Sequence, residues 1–325
     1  MNKQRGVALI TVLLVFAVVA VIAAEMLRRS QLNLRSVSNL IDTRQAYYYT
    51  LGGEALARKI LALDVKNGHG KKDSLDEPWA KAKEQPPFEI ENGAIKVEIN
   101  DLQGRFNLNS VVDAQGQPSS GTELQTLKQL FAAVGVDARY ADEWRDWVDA
   151  DQAALPTGGE DAAYEHYKTA GAAEADVSAL RLLKGMKPED YDKIAPHVTV
   201  LPKGALPVGD EPATVTTINV NTADSTVLRA LGPIISAHAS QIIVRQQQGG
   251  YASVAELQTA LGAGADVAGL DVTSNYFEVI TTVKYLERVQ RLRSVLQRDQ
   301  TSGAITVLSR SRIPFADTTD EKTDP

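Results

Sequence analysis

The sequence predicts an α+β protein: a long N-terminal helix packed on an antiparallel sheet, with a large all-α domain inserted into that sheet. Three observations predict it. A helical pattern runs without interruption from Val7 to about Leu63, alternating strand patterns flank the middle of the chain at 88–99 and 277–309, and the stretch between them is helical. A two-stranded hairpin alone is marginal, so strands on both sides of a helical block are most simply joined in one sheet.

The first element begins with a short basic leader, Lys3 and Arg5, that ends in Gly6. From Val7 to Ala24 the only polar residue is Thr11. In helix such a run reaches about 27 Å, close to the ~30 Å of a bilayer core. Three readings compete: a buried core helix, a cleaved secretory signal and a retained anchor. Little else in the chain is apolar enough to enclose the run. A cleaved signal wants a shorter apolar run and small residues at its site, and Ile22-Ala23-Ala24 is a poor one. A retained anchor leads.

The helical period continues through Leu34, Val37 and Ile41, then Tyr48, Leu51 and Ala55, then Leu56, Ile60 and Leu63, with no proline before Pro78. A single helix over Val7 to Leu63 would be roughly 85 Å long at about 1.5 Å per residue. Its second half is amphipathic, as if docked on a domain. Gly52-Gly53 implies close packing against a sheet or a hinge. Asn67-Gly68-His69-Gly70 ends the helix, and residues 71–87 read as a charged, proline-bearing loop.

Phe88–Ile99 alternates apolar and charged residues on two arms around Asn92-Gly93, a pair suited to a type I′ turn. Helical segments follow at Glu123–Val134, Ala138–Val148, Val177–Leu183, Pro188–Ile194, Ser225–Leu231, Ile234–Gln247 and Val254–Leu261. Phe277, Val279, Thr281, Val283 and Tyr285 alternate as a strand. Val289–Arg298 fits strand or helix. Thr301-Ser302-Gly303 is a turn and Ala304–Ser309 a strand. The acidic tail after Pro314 predicts disorder. Within the helical block, Arg105-Phe-Asn107-Leu-Asn109 is echoed by Thr217-Ile-Asn219-Val-Asn221. Each precedes a helix, with Ser120 and Glu123 as a capping box for one and Thr222 as an N-cap for the other; a true repeat and a chance likeness both remain open.

Composition narrows the function. The chain has 325 residues, 44% hydrophobic and 23% charged, with no cysteine, which removes thiol nucleophiles, cysteine zinc sites and disulfides. Net charge is −7, and removing Met1–Gly6 leaves 32 basic residues against 41 acidic. Such a balance disfavours sequence-independent nucleic-acid binding, which needs clustered Lys and Arg. Residues 218–261 nonetheless resemble helix-hairpin-helix modules, some of which bind DNA. The hairpin here reads Gly232-Pro233-Ile234-Ile235-Ser236, lacks a second glycine and replaces a donor with proline. The nearby basic residues are Arg229, His238 and Arg245. A helical protein-contact or packing module is favoured over a membrane-tethered DNA-uptake protein.

Residues 142–165 are the most acidic stretch outside the tail. Asp149, Asp151 and Glu160 fall at positions 1, 3 and 12 of an EF-hand-like loop, Asp161 adds a carboxylate, and Gly158-Gly159 lets the loop fold back. Ala153 and Ala154 break the match at positions 5 and 6. A solvated acidic loop and a cation site are both open; converging carboxylates repel unless a cation joins them, and oxygen-only ligands suit calcium over zinc. His69, His166, His197 and His238 are scattered, and no catalytic motif occurs, so no enzyme activity is expected.

Gly6 followed at once by VALITVLLVFAVVA resembles the class III signal of type IV pilins and pseudopilins. Together with the long helix, the interrupted sheet, the WRDWVDAD…GGED stretch and INVNTA, the chain is similar to the GspK family of type II secretion minor pseudopilins over nearly its whole length. The resemblance implies a pilin-like body, prepilin peptidase cleavage between Gly6 and Val7, N-methylation, a filament contact through Val7 and Thr11, and retention in the inner membrane with the bulk in the periplasm. It further implies a place at the pseudopilus tip with minor pseudopilins I and J, helping to initiate assembly, contacts with other pseudopilins, the secretin and exoproteins, and calcium in the α-domain. Two positions depart from the common pattern: Val7 stands where most members have Phe, and Thr11 where most have Glu. The expected division is leader 1–6, membrane part 7–24, helix and first strands 25–103, α-domain 104–272, closing strands 273–313 and tail 314–325.

Overall fold

The computed structural model describes residues 4–68, 70–113, 115–119, 121–202, 217–262 and 264–313. Helix α1 runs from Gln4 to Lys66, 63 residues without a break, about 95 Å long. It ends where Gly68 takes a positive φ of 88° and its N–H returns to Val65 O at 3.0 Å. Residues 9–24 are exposed on every side, so the apolar half stands clear of the rest of the chain. It is the one helix among the described residues long and apolar enough to cross a membrane.

The strands are β1 (Phe88–Ile90), β2 (Gly93–Asp101), β3 (Phe106–Asn107), β4 (Val198–Thr199), β5 (Ile218–Asn219), β6 (Leu270–Asp271), β7 (Tyr276–Tyr285), β8 (Arg288–Arg298) and β9 (Ile305–Arg312). Five of them form one antiparallel sheet in the order β1-β2-β7-β8-β9, so the long excursion between β2 and β7 closes into neighbouring strands. Val289–Arg298, ambiguous by pattern, is strand because Val289–Gln297 pair with β7 and Arg298 pairs with Ile305 of β9. The hairpin turn lies one residue earlier than Asn92-Gly93 suggests. Ile90 pairs with Gly93, the turn residues are Glu91 and Asn92, and Asn92 alone takes a positive φ, 61°. Gly93 is needed for a different reason: a Cβ there would lie 2.0 Å from Lys284 O on β7.

The face α1 lays on the sheet is not the apolar stripe its spacing suggests. Tyr48, Leu56 and Leu63 are largely exposed, and Ala46, Thr50, Gly53, Glu54, Ala57, Leu61 and Asp64 are the residues turned inward. Small residues let the helix approach closely: a Cβ on Gly53 would meet Thr281 Cγ2 at 2.4 Å. Gly53 therefore marks close packing, while Gly52 faces open space. Buried Glu54 is gripped by Arg310 through two bonds of 2.6 and 2.8 Å and by Ser294. Trp79, Ile99, Phe277, Val279 and Leu296 complete this core.

Between β2 and β7 lie α2 (Glu123–Ala133), α3 (Arg139–Val148), α4 (Pro188–Ile194), α5 (Ser225–Ala230), α6 (Pro233–Gln247) and α7 (Val254–Leu261), with a 3-10 turn at Val177–Leu182 in place of the helix expected there. They share a separate core around Leu127, Phe131, Trp144, Leu180, Leu228 and Ile242. The echoed Asn motifs are one device used twice. Asn107 and Asn219 each accept from the backbone N–H two residues on. Asn109 clasps the backbone of Glu174 through both its amide atoms, and Asn221 clasps Tyr251 in the same way. Each motif also begins a short parallel pair, β3 with β4 and β5 with β6. The helix caps differ from expectation: Asp224, not Thr222, caps α5, because Thr222 donates to Asp101; Ser120 lies outside the described residues, and Ser119 donates to Glu123 at 2.8 Å.

Asn39 and Thr43 of α1 touch Arg288 and Gln290 at one end of the sheet. Asp64, at the far end of α1, meets Arg298, which reaches Asp73, which in turn bonds Asn219. The helical insertion is therefore carried at the end of α1 opposite its apolar half.

Candidate metal centre

Three carboxylates, Asp146, Asp149 and Glu160, bring oxygens within 4.8 Å of one another, and all three are buried. Asp146 lies in the last turn of α3, and Asp149 is the residue that ends it. A spacing of three puts both on one face of the helix end. The chain then loops back through Leu155, whose N–H donates to Asp146 Oδ2 at 2.8 Å, and delivers Glu160 as the cap of a 3-10 turn at Asp161–Ala163. Gly158 makes the return possible, since a Cβ there would fall 1.9 Å from Asp146 Oδ2. Asp142, a turn earlier on α3, is held by Lys128 at 2.7 Å and by Thr157, which ties the loop to the helix.

The oxygens facing the centre are the notable feature. Asp146 Oδ1, both oxygens of Asp149 and both of Glu160 are buried with no hydrogen-bond donor. Arg145 is the nearby positive charge, and it stands 3.7 Å from Asp146 and 3.8 Å from Asp149. Burial pushes the Asp149 carboxyl up to about 6, with Asp151 and Asp146 adding to it. Burial likewise raises Glu160 to about 7, reinforced by Asp149, Asp146 and Asp151. Buried carboxylates without donors are costly, and the set of oxygens here fits a hard divalent cation, which would neutralise and ligate them together.

Of the four carboxylates the sequence singles out, the structure brings Asp149 and Glu160 together. Asp151 stays close enough to raise both, but its Oδ1 accepts from Ala153 N–H at 2.7 Å. Asp161 points elsewhere: its Oδ1 accepts from the N–H and hydroxyl of Thr169, and Lys168 lies 3.4 Å away. Asp146 is the residue the loop spacing missed. The signal for it was the Asp146–Asp149 interval on a predicted helix, which an EF-hand register starting at Asp149 ignores. Gly6 and Val7 fall within α1, and Thr11 lies on its exposed part.

The other sequence candidates resolve simply. Gly232 takes a positive φ of 106° between α5 and α6, and Pro233 opens α6. Arg245 pairs with Glu256 at 2.6 Å and lies over the Tyr251 ring. His197 Nδ1 sits 2.6 Å from Asp224, the cap of α5, and His69 lies outside the described residues.

Family models described as "Type II secretion system (T2SS), protein K" match residues 104–203 and 218–279. The chain is 36% identical to the type II secretion system protein K of Pseudomonas aeruginosa, covering 94% of this chain and 92% of that one. It is 31% identical to the protein K of Aeromonas hydrophila, covering 91% and 94%. Among solved structures it is similar to the crystal structure of the GspK-GspI-GspJ complex from enterotoxigenic Escherichia coli, with a TM-score of 0.70 and 25% identity, over 86% of this chain and 99% of that chain.

Proposed function

The chain belongs to the type II secretion system protein K family, and on that premise we propose that it is the minor pseudopilin that ends the periplasmic pseudopilus and helps to start its assembly. The observation that carries this reading is the placement of the helical insertion at the end of α1 opposite the apolar half. A filament grows by packing apolar helices side by side, and a further subunit above this one would have to pass the insertion. The apolar half anchors the precursor in the inner membrane, the prepilin peptidase cuts between Gly6 and Val7, and the new N-terminus is methylated. Thr11 fits the same position. A buried unpaired carboxylate costs several kcal/mol, so a subunit with no neighbour above it is better served by a hydroxyl.

The partners are minor pseudopilins equivalent to the two that accompany the related protein in its crystal, I and J. Calcium held by Asp146, Asp149 and Glu160, with Asp151 close by, stiffens the loop between α3 and Tyr164 and so fixes the surface of the insertion. No bond-making chemistry is assigned; the work is mechanical. The test is a Gly6→Leu precursor in the native host. The expected result is an uncut protein and no exoprotein release; full secretion with an uncut leader would overturn the reading.

A further inference from the structure

A second group of carboxylates lies where the insertion meets the helix and sheet. Asp64 of α1 and Asp73 and Glu77 of the 71–79 strap bring oxygens within 4.8 Å of one another. Asp101, at the end of β2, adjoins them and accepts from Thr222, Asn219 and Ser274. Arg298 of β8 is wholly buried in this group, donating to Asp64 at 3.0 Å, to Asp73 and to Ser274 O at 2.9 Å, with its guanidinium over the Phe277 ring. Of the other charged groups at the joint, Lys72 donates to Gly249 O at 2.6 Å and its charge also acts on Glu77, Asp76 accepts from Ser74, Lys81 acts on Asp76, and Asp299 is bound within the 299–303 turn. Four buried carboxyls thus gather here, and Arg298 pairs with two of them, Asp64 and Asp73. A metal ion would have to share the centre with Arg298, whose own charge repels it; a proton need not.

We propose that Glu77 carries a proton at neutral pH, and that this proton closes the joint between α1 and the insertion, so that alkaline medium loosens the 71–79 strap. The strap binds both sides of the insertion. Asp73 N–H donates to Val272 O, Asn219 donates to Asp73 O, Ser274 N–H donates to the Asp73 carboxylate, and Trp79 packs edge-on to Phe277. Ionised, Glu77 would stand against Asp64 and Asp73 in a water-poor site. Burial pushes its carboxyl up to about 8, and the charges of Asp64 and Asp73 add to this against the bond from Trp79 and the charge of Lys72. The stabilisation it gives is complete below the ordinary carboxylate range and is lost as pH rises through about 8.

Trp79 is the built-in reporter, since its indole N–H donates to Glu77 at 2.6 Å. The experiment is a fluorescence titration of the full chain in detergent from about pH 6 to about pH 10, with a Trp79→Phe variant subtracted. The expected result is a step centred near 8 in the native chain and none in Glu77→Gln. A Glu77→Gln variant with the same step, or a native chain with no step, overturns the proposal. Should Glu77→Gln fail to fold, Asp64→Asn gives the second test: removing a neighbouring charge lowers the midpoint by about half a pH unit or more, and an unmoved midpoint overturns the proposal.

Discussion

Replacing Asp149 by Asn tests the metal centre with opposite signs in two conditions. Asp149 is fully buried and both its oxygens lack donors, yet its carboxyl, at about 6 against an ordinary 3.8, is ionised at neutral pH. Holding that charge costs about 3 kcal/mol as an upper figure, at 1.36 kcal/mol per pH unit. In chelator at about pH 7.5 the variant should therefore be the more stable protein, by up to about 3 kcal/mol, or roughly 8 °C in melting midpoint for a chain of this size. With calcium at about a hundred times its dissociation constant the native chain gains about 2.7 kcal/mol, and the variant, short of a ligand, gains little. The pH dependence follows the same sign. With Asp149 and Glu160 both raised, the native chain in chelator is most stable below about pH 4 as far as this group is concerned, and it loses stability as pH rises through 6 and 7; calcium removes that decline. The assay is thermal unfolding of the full chain in detergent, with chelator or calcium. Equal native midpoints in the two conditions, or a variant less stable than the native chain in chelator, would refute the reasoning.

Two further outcomes follow from the geometry. Gly158→Ala should push the Asp146 carboxylate from its place, because the new methyl would lie 1.9 Å from Oδ2; calorimetry should show calcium binding about 10- to 100-fold weaker, and unchanged affinity would contradict the cradle. Asn109→Ala and Asn221→Ala should each cost about 1–3 kcal/mol in chemical denaturation, since the first leaves the half-buried N–H and C=O of Glu174, and the second the buried ones of Tyr251, without these partners. A loss at one site only would show that the two motifs are not equivalent.

Much of the architecture was legible because it is written in local pattern. The break-free helix, the alternation in β7 and the helical segments of the insertion depend on neighbouring residues along the chain, so periodicity finds them. The buried face of α1 differs from its apolar stripe for a physical reason. Close packing selects small residues such as Gly53 and Ala57, and leaves larger apolar ones such as Leu56 outside, so hydrophobicity points to the wrong side. The carboxylate cluster is half legible: an acidic loop is visible as composition, but which carboxylates converge depends on where α3 ends and how Gly158 turns.

The sequence by itself determined the long apolar helix, the interrupted sheet and the family likeness, because each is a matter of order and spacing along the chain. Tertiary structure alone decided that Asp146 joins Asp149 and Glu160 while Asp161 is drawn off to Thr169. It also decided that Arg298 meets Asp64 and Asp73, from 234 and 225 residues away, at the joint that carries the insertion. Charges so distant in sequence interact only after the sheet has closed, and their cost or benefit is set by burial, which no local pattern encodes.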